Sequence, residues 1–90
     1  MQSVYILEDD PIHLQFLVQE VQNTTMIEAL SYEIRLATGN PQEIINDSGY
    51  FSKHRCLFLL DIEIDHARMD GVQLANFVRA NTSNADIIFV

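Results

Sequence analysis

The stretch Val4–His13, VYILEDDPIH, decides the fold and raises a question about charge. Four largely apolar residues, Val4 to Leu7, run straight into Glu8, Asp9 and Asp10. A continuous apolar run of this length fits a strand covered on both faces, as in a parallel sheet, better than an alternating strand with one wet face. Asp10 and Pro11 then supply a helix N-cap followed by proline at the first helical position. A buried strand therefore ends in a row of carboxylates at the mouth of a helix.

The same grammar recurs along the chain. Leu57 to Leu60 and Ile87 to Val90 are further continuous apolar runs, whereas YEIRLA, Tyr32 to Ala37, alternates and predicts an edge strand. Leu14, Leu17, Val18 and Val21 fall at i, i+3, i+4 and i+7, the apolar stripe of a helix, and Phe16 widens that stripe towards a second face. Asn40 to Glu43, NPQE, repeats the cap-plus-proline signature and opens a short second helix ending near Asp47 to Gly49. Gly71, Leu74, Ala75 and Val78 share one face of a third helix, and Asn81 to Ala85 has loop chemistry. The predicted order is β-α-β-α-β-α-β, which implies an α/β parallel sheet with right-handed crossovers. The sequence holds no internal repeat, linker or low-complexity segment.

Composition narrows the function. At 90 residues and 48% hydrophobic content, the chain is one small domain or part of one. A chain this short buries only about 60–65% of its surface, so each element matters. The net charge of −8 argues against this segment gripping nucleic acid and favours cations or basic partner surfaces. Cys56 is the single cysteine, which excludes an internal disulfide and a cysteine-rich zinc site. Its neighbours Leu57 to Leu60 read as core, in a reducing compartment. No apolar run reaches membrane-spanning length, and no basic stretch precedes an apolar one at the N-terminus. The expectation is a cytoplasmic protein that makes no membrane contact.

In a parallel sheet the C-terminal ends of the strands lie on one edge, where ligands bind. Glu8, Asp9 and Asp10 follow the first strand and Asp61 follows the third. On neighbouring strands these carboxylates face one another across roughly 5–8 Å. Two unit charges about 4 Å apart repel by roughly 4 kcal/mol at an effective dielectric near 20. Such repulsion needs either raised pKa values or a cation. Carboxylate oxygens with a loop carbonyl are hard ligands suited to Mg2+. Among only 3 glycines none forms a phosphate-cradling loop, so phosphoryl chemistry here points to a carboxylate acceptor. Asp61, alone at the end of a buried strand, is the best placed.

These residues, ILEDDP and LFLLDIEI followed by MDG, with the alternating β/α order, resemble the receiver domain of two-component response regulators. The resemblance spans the chain and implies a flavodoxin-like (CheY-like) parallel sheet with helices on both faces. It implies that Glu8 and Asp9 are the acidic pair holding Mg2+, that Asp61 is the phosphoacceptor, and that Glu63 offers its main-chain carbonyl to the metal. Asp10 is then left to cap the first helix. It also implies a sensor histidine kinase as phosphoryl donor. IEIDHARMDG lacks the proline usual in receivers and is longer by about two residues. That loop and the ATGNP turn look like receivers attached to LytTR DNA-binding domains, which often control competence, bacteriocin or peptide quorum-sensing genes. Receivers also use a Ser or Thr after strand four and a Lys after strand five. The sequence ends at Val90, before either. Residues 1–90 are thus expected to be a partial receiver domain that touches DNA only through a C-terminal domain absent from this chain. A truncated sheet of this kind is expected either to be poorly stable or to self-associate as a homodimer.

Plainer readings compete with these. The acidic row could be a solvated helix N-terminus, and Asp61 could simply end a strand. Asp65 and Asp70 read as solvated loop residues, His13 as packing on the first helix and His66 as exposed. Lys53, His54 and Arg55 read as a solvated turn. A rival function is a haloacid-dehalogenase-like phosphohydrolase, but Glu63 stands where that chemistry wants a second aspartate. A degenerate receiver acting only as an interaction module is the third reading. The favoured reading is not an enzyme.

Overall fold

The computed structural model describes residues 2–28, 31–64 and 69–90, with the side chains of 25–28 outside that description. Four strands form one parallel sheet in the order β2-β1-β3-β4: β1 (Gln2–Leu7), β2 (Tyr32–Thr38), β3 (Cys56–Leu60) and β4 (Ala85–Phe89). The helices are α1 (Pro11–Glu28), α2 (Pro41–Ile45), α3 (Ser48–Phe51) and α4 (Gly71–Asn81). This is the start of the flavodoxin-like strand order, with β1 and β3 central and the switch in order between them.

Alternation along each strand sends neighbouring side chains to opposite faces. Tyr5, Leu7, Cys56, Phe58 and Leu60 are buried beneath Ile44, Phe51, Leu74, Ala75 and Val78 of α2, α3 and α4. Tyr5 stacks on Phe58 with ring centroids 4.8 Å apart, and Phe51 meets both rings edge-on. The Cys56 thiol lies in this core, where burial pushes its pKa up and keeps it protonated. On the other face, α1 packs against β1 and β2. Its stripe of Leu14, Leu17, Val18 and Val21 is only half-buried, and Phe16 is 57% exposed. Leu17 and Val21 line a groove of about 230 Å3 with Leu57 and Leu59 of β3.

The second helix departs from expectation. Rather than ending near Asp47, it breaks there and resumes as α3, which carries Phe51 into the core. At the break the Asp47 carboxylate is engaged away from the helix. It makes no side-chain cap to α3 but accepts from the buried Tyr5 hydroxyl and from two nitrogens of Arg35. The Arg35 hydrogen bonds, reinforced by the Tyr5 hydroxyl, hold the Asp47 carboxyl below the usual carboxylate range against the opposing effect of burial. Burial, then Asp47, raises the Tyr5 phenol. The Arg35 guanidinium lies 3.5 Å from the centre of the Tyr50 ring, whose other neighbour, the His54 ring, stacks at 4.0 Å. Tyr50 also shares a hydrogen bond with Ser3 at 2.8 Å.

The predicted solvated turn at Lys53–Arg55 is exposed, but two of its three residues are engaged: His54 on Tyr50, and Arg55 on Asp86 at 3.3 Å. β4 begins at Ala85, two residues before the predicted run, because its register pairs Ala85 with Cys56. Among the described residues β4 pairs only with β3, and Ile88, Phe89 and Val90 are exposed.

Candidate functional site

The parallel register of β1 and β3 aligns Leu7 with Leu60, so the residues that follow emerge level at the C-terminal edge of the sheet. The Asp61 N–H donates to the Leu7 carbonyl at 2.9 Å, and the Glu8 N–H donates to the Thr38 carbonyl at 2.9 Å. These backbone bonds fix both acids before any side-chain contact is made. Carboxylate oxygens of Glu8, Asp9 and Asp61 come within 4.8 Å of one another, tighter than the separation expected from the sequence.

Glu8 is the buried member at 4% exposure. Its burial, and then the facing Asp61 carboxylate, hold its pKa above the usual carboxylate range; the Asp10 N–H and His13 pull the other way. Oε1 accepts from the Asp10 N–H at 3.1 Å, and Oε2 lies 3.1 Å from Nδ1 of His13. Asp10 stands apart from the cluster and caps α1, its Oδ1 accepting from the Ile12 N–H at 3.0 Å, as the cap-plus-proline signature implied. Asp61 Oδ1 accepts from the Glu63 N–H at 3.2 Å; Glu63 itself is exposed, two residues beyond the strand end.

Two expectations change. His13 does not simply pack on its helix: it turns back from the first turn of α1 to Glu8. Asp70 is not an idle loop residue but the N-cap of α4, in a reciprocal box with Gln73 whose two bonds are 2.8 and 3.0 Å. The signal for the box, Asp followed three residues later by Gln, was present in the sequence. Asp65 and His66 lie outside the described residues.

Two glycines make room for the acids. A Cβ on Gly71 would sit 1.9 Å from the Asp61 carbonyl oxygen, and one on Gly39 would sit 3.0 Å from the Asp9 Cα. The Gly71 N–H also donates to the Ile62 carbonyl at 3.1 Å, pinning the chain just past Asp61. Both turns press backbone directly against the backbone that carries the acidic side chains.

The fold is that of a solved signal receiver domain. The chain superposes over its full length on the crystal structure of the signal receiver domain of a modulated diguanylate cyclase from Desulfovibrio desulfuricans G20, described as an example of alternate folding. The TM-score is 0.74 at 24% identity, with 64% of that chain covered. Over 88 residues, 98% of its length, the chain is 34% identical to accessory gene regulator protein A of Staphylococcus epidermidis. The protein of the same name from Staphylococcus aureus is likewise 34% identical over 88 residues. The chain spans 36% of the length of these relatives. No family model matches it. The chain is similar in sequence to the accessory gene regulator A proteins and in fold to a signal receiver domain.

Gly71→Ala is therefore expected to push the Asp61–Ile62 backbone out of place. Overpacking of this kind costs about 1–3 kcal/mol. Chemical denaturation should show that loss, and the Asp61 and Ile62 amide NMR signals should move. Wild-type stability with unmoved signals would contradict the packing role given to Gly71.

Proposed function

We propose that this domain accepts a phosphoryl group on Asp61 from a sensor histidine kinase, with Mg2+ held by Asp9, Asp61 and the Glu63 main-chain carbonyl, and Glu8 acting directly or through water. The convergence of the Glu8, Asp9 and Asp61 oxygens within 4.8 Å carries this reading. The donor set is all carboxylate oxygen on the rim of a rigid sheet, which suits Mg2+ better than a softer metal. When bound, the ion neutralises charge on the phosphoryl oxygens. The chain's own contribution is position. Asp61 is tethered through its N–H to Leu7 and through Oδ1 to Glu63, so its carboxylate meets phosphorus without first having to be ordered. A carboxylate oxygen forms the new P–O bond as the P–N bond to the kinase histidine breaks, and the electron pair leaves on that ring nitrogen. Ile12 and Phe16, exposed beside the acidic edge, offer an apolar surface for the kinase.

The haloacid-dehalogenase reading leaves Glu8 and Asp9 without a role, and Glu63 is exposed where that chemistry wants an acid. In the favoured reading the domain is a switch rather than an enzyme. It works in the cytoplasm and drives a transcriptional output of the LytTR kind through a separate DNA-binding domain, in peptide quorum sensing. The names of the accessory gene regulator relatives support gene control. No helix among the described residues is long and apolar enough to cross a membrane.

Two outcomes are expected. Radiolabelled acetyl phosphate with Mg2+ should label the protein, Asp61→Asn should abolish labelling, and Asp9→Asn should slow it by weakening metal binding. Undiminished labelling of Asp61→Asn would overturn the assignment of the acceptor. Second, the 90-residue chain should pair with itself. Large apolar side chains left wet forgo roughly 1.5–3 kcal/mol each, and the β4 edge with Ile88, Phe89 and Val90 offers a second copy both backbone groups and apolar surface. Sedimentation should show the mass rising with concentration towards a dimer, and a folded monomer at high micromolar concentration would refute it.

A further inference from the structure

We infer that Arg35 is a positioning residue of the acidic edge: anchored on Asp47 and Tyr50, it holds a one-residue slip in β2 that seats Gly39 against Asp9. The inference rests on the Mg2+ reading and deepens it.

The pairing of β2 with β1 is irregular at one point. Gln2 to Val4 face Tyr32 to Ile34 in step, but Tyr5 faces Leu36, and the pairs then run on to Leu7 with Thr38. Arg35 is the extra residue, a bulge opposite the Val4–Tyr5 step. The side chains agree with this. In a regular strand Arg35 and Leu36 would point to opposite faces. Here both serve the same face: Arg35 bonds to Asp47 at the α2–α3 break, and Leu36 packs against the core that holds Tyr5, Phe51 and Phe58. A bulge leaves the extra residue unpaired in the ladder, so a bond from elsewhere must compensate. The Arg35 side chain supplies it. Its Nη2 donates to Asp47 Oδ1 at 3.1 Å, and the guanidinium lies 3.5 Å from the centre of the Tyr50 ring.

The consequence lies further along β2. Without the slip Leu7 would face Ala37, and the turn after β2 would stand roughly 3.3 Å further on, the rise of one strand residue. With it, Leu7 faces Thr38, and the Glu8 N–H donates to the Thr38 carbonyl at 2.9 Å. A Cβ on Gly39 would then sit 3.0 Å from the Asp9 Cα and 3.3 Å from the Glu8 carbonyl oxygen. Thr38 is buried, and its hydroxyl accepts from the Asn40 N–H at 3.0 Å, which closes the turn in this place. A register change of one residue would turn Thr38 to the other face and lift Gly39 off Asp9. The backbone of Glu8 and Asp9 is thus braced from the β2 side by a turn whose register Arg35 holds.

Two variants separate register from stability. Arg35→Ala leaves the extra residue in β2 and removes its anchor. Deletion of Arg35 removes the extra residue itself and makes Ile34 and Leu36 consecutive, so Leu7 still faces Thr38 with no bulge. Both lose the bonds to Asp47, and both should lower the thermal midpoint. Mg2+ titration of the purified chain followed by backbone NMR tells them apart. Arg35→Ala should move the Gly39 and Asp9 amide signals before metal is added and weaken Mg2+ binding about tenfold, the lower end of what loss of outer support costs. The deletion should bind Mg2+ as the wild type does. Arg35→Lys, which keeps an ion pair to Asp47 without the bidentate fork, should recover part of the affinity that Ala loses. Wild-type affinity with unmoved signals in Arg35→Ala overturns the positioning role and leaves the metal site standing; so does an equal loss in a folded deletion variant, or no recovery in Arg35→Lys. A wild type that does not respond to millimolar Mg2+ overturns the metal reading instead, and the Gly39 and Asp9 signals of metal-free Arg35→Ala then decide the register by themselves.

Discussion

Glu8 is the constraint around which the rest of the molecule is arranged. A carboxylate 4% exposed, facing another across the end of a sheet, is unfavourable in its charged form unless something compensates. The fold nevertheless holds it in place at several points. Parallel pairing of β1 with β3 brings Asp61 level with it, the Asp10 N–H donates to one of its oxygens, and His13 Nδ1 lies 3.1 Å from the other. Gly39 lets a neighbouring turn press against Asp9 and the Glu8 carbonyl, and Gly71 does the same for Asp61. Removing the repulsion would need only one amide in place of one acid.

A second polar assembly, well away from that edge, serves stability. Tyr5, Asp47, Arg35 and Tyr50 link the centre of the sheet to its β2 edge and to the α2–α3 break. Each buried polar atom along it has a partner, which is the condition under which such networks hold a core in one arrangement. Because the Asp47 carboxyl is depressed, its contribution is present above the ordinary carboxylate range and is lost as pH falls through its lower folded value. The two assemblies therefore respond to pH in opposite directions.

Much of this was legible in the sequence because it is written in short-range terms. Continuous apolar runs gave the central strands, alternation gave the β2 edge, and the cap-plus-proline pairs opened α1 and α2. Strand ends then located Glu8, Asp9 and Asp61 together, since a parallel sheet has only one C-terminal edge. What escaped was long-range or reciprocal. The Asp47 carboxylate at the α2–α3 break is bonded to Tyr5 and Arg35, 42 and 12 residues away in sequence, which no local pattern reports. The approach of His13 to Glu8 joins the first turn of α1 to a residue that precedes the helix, which a helical pattern does not report. Asp70 differs: its capping partner Gln73 stands three residues on, a short-range signal that the sequence does carry. The space beside Asp61 that demands glycine at position 71 is visible only once α4 is docked.

The central claim is that Glu8 carries an electrostatic load which Mg2+ relieves. Its raised pKa means that the stability it allows is fully present below the ordinary carboxylate range and is lost as pH rises through its higher folded value. The most direct measurement is the thermal midpoint of wild type and Glu8→Gln between pH 4 and 8, with and without Mg2+, at ~0.15 M ionic strength to limit surface effects. Without metal, the wild type should lose stability relative to Glu8→Gln as pH rises, and Mg2+ should restore it at the alkaline end while doing less for the variant. A wild type that gains on Glu8→Gln with rising pH, or that Mg2+ leaves unmoved at pH 8, would contradict the account.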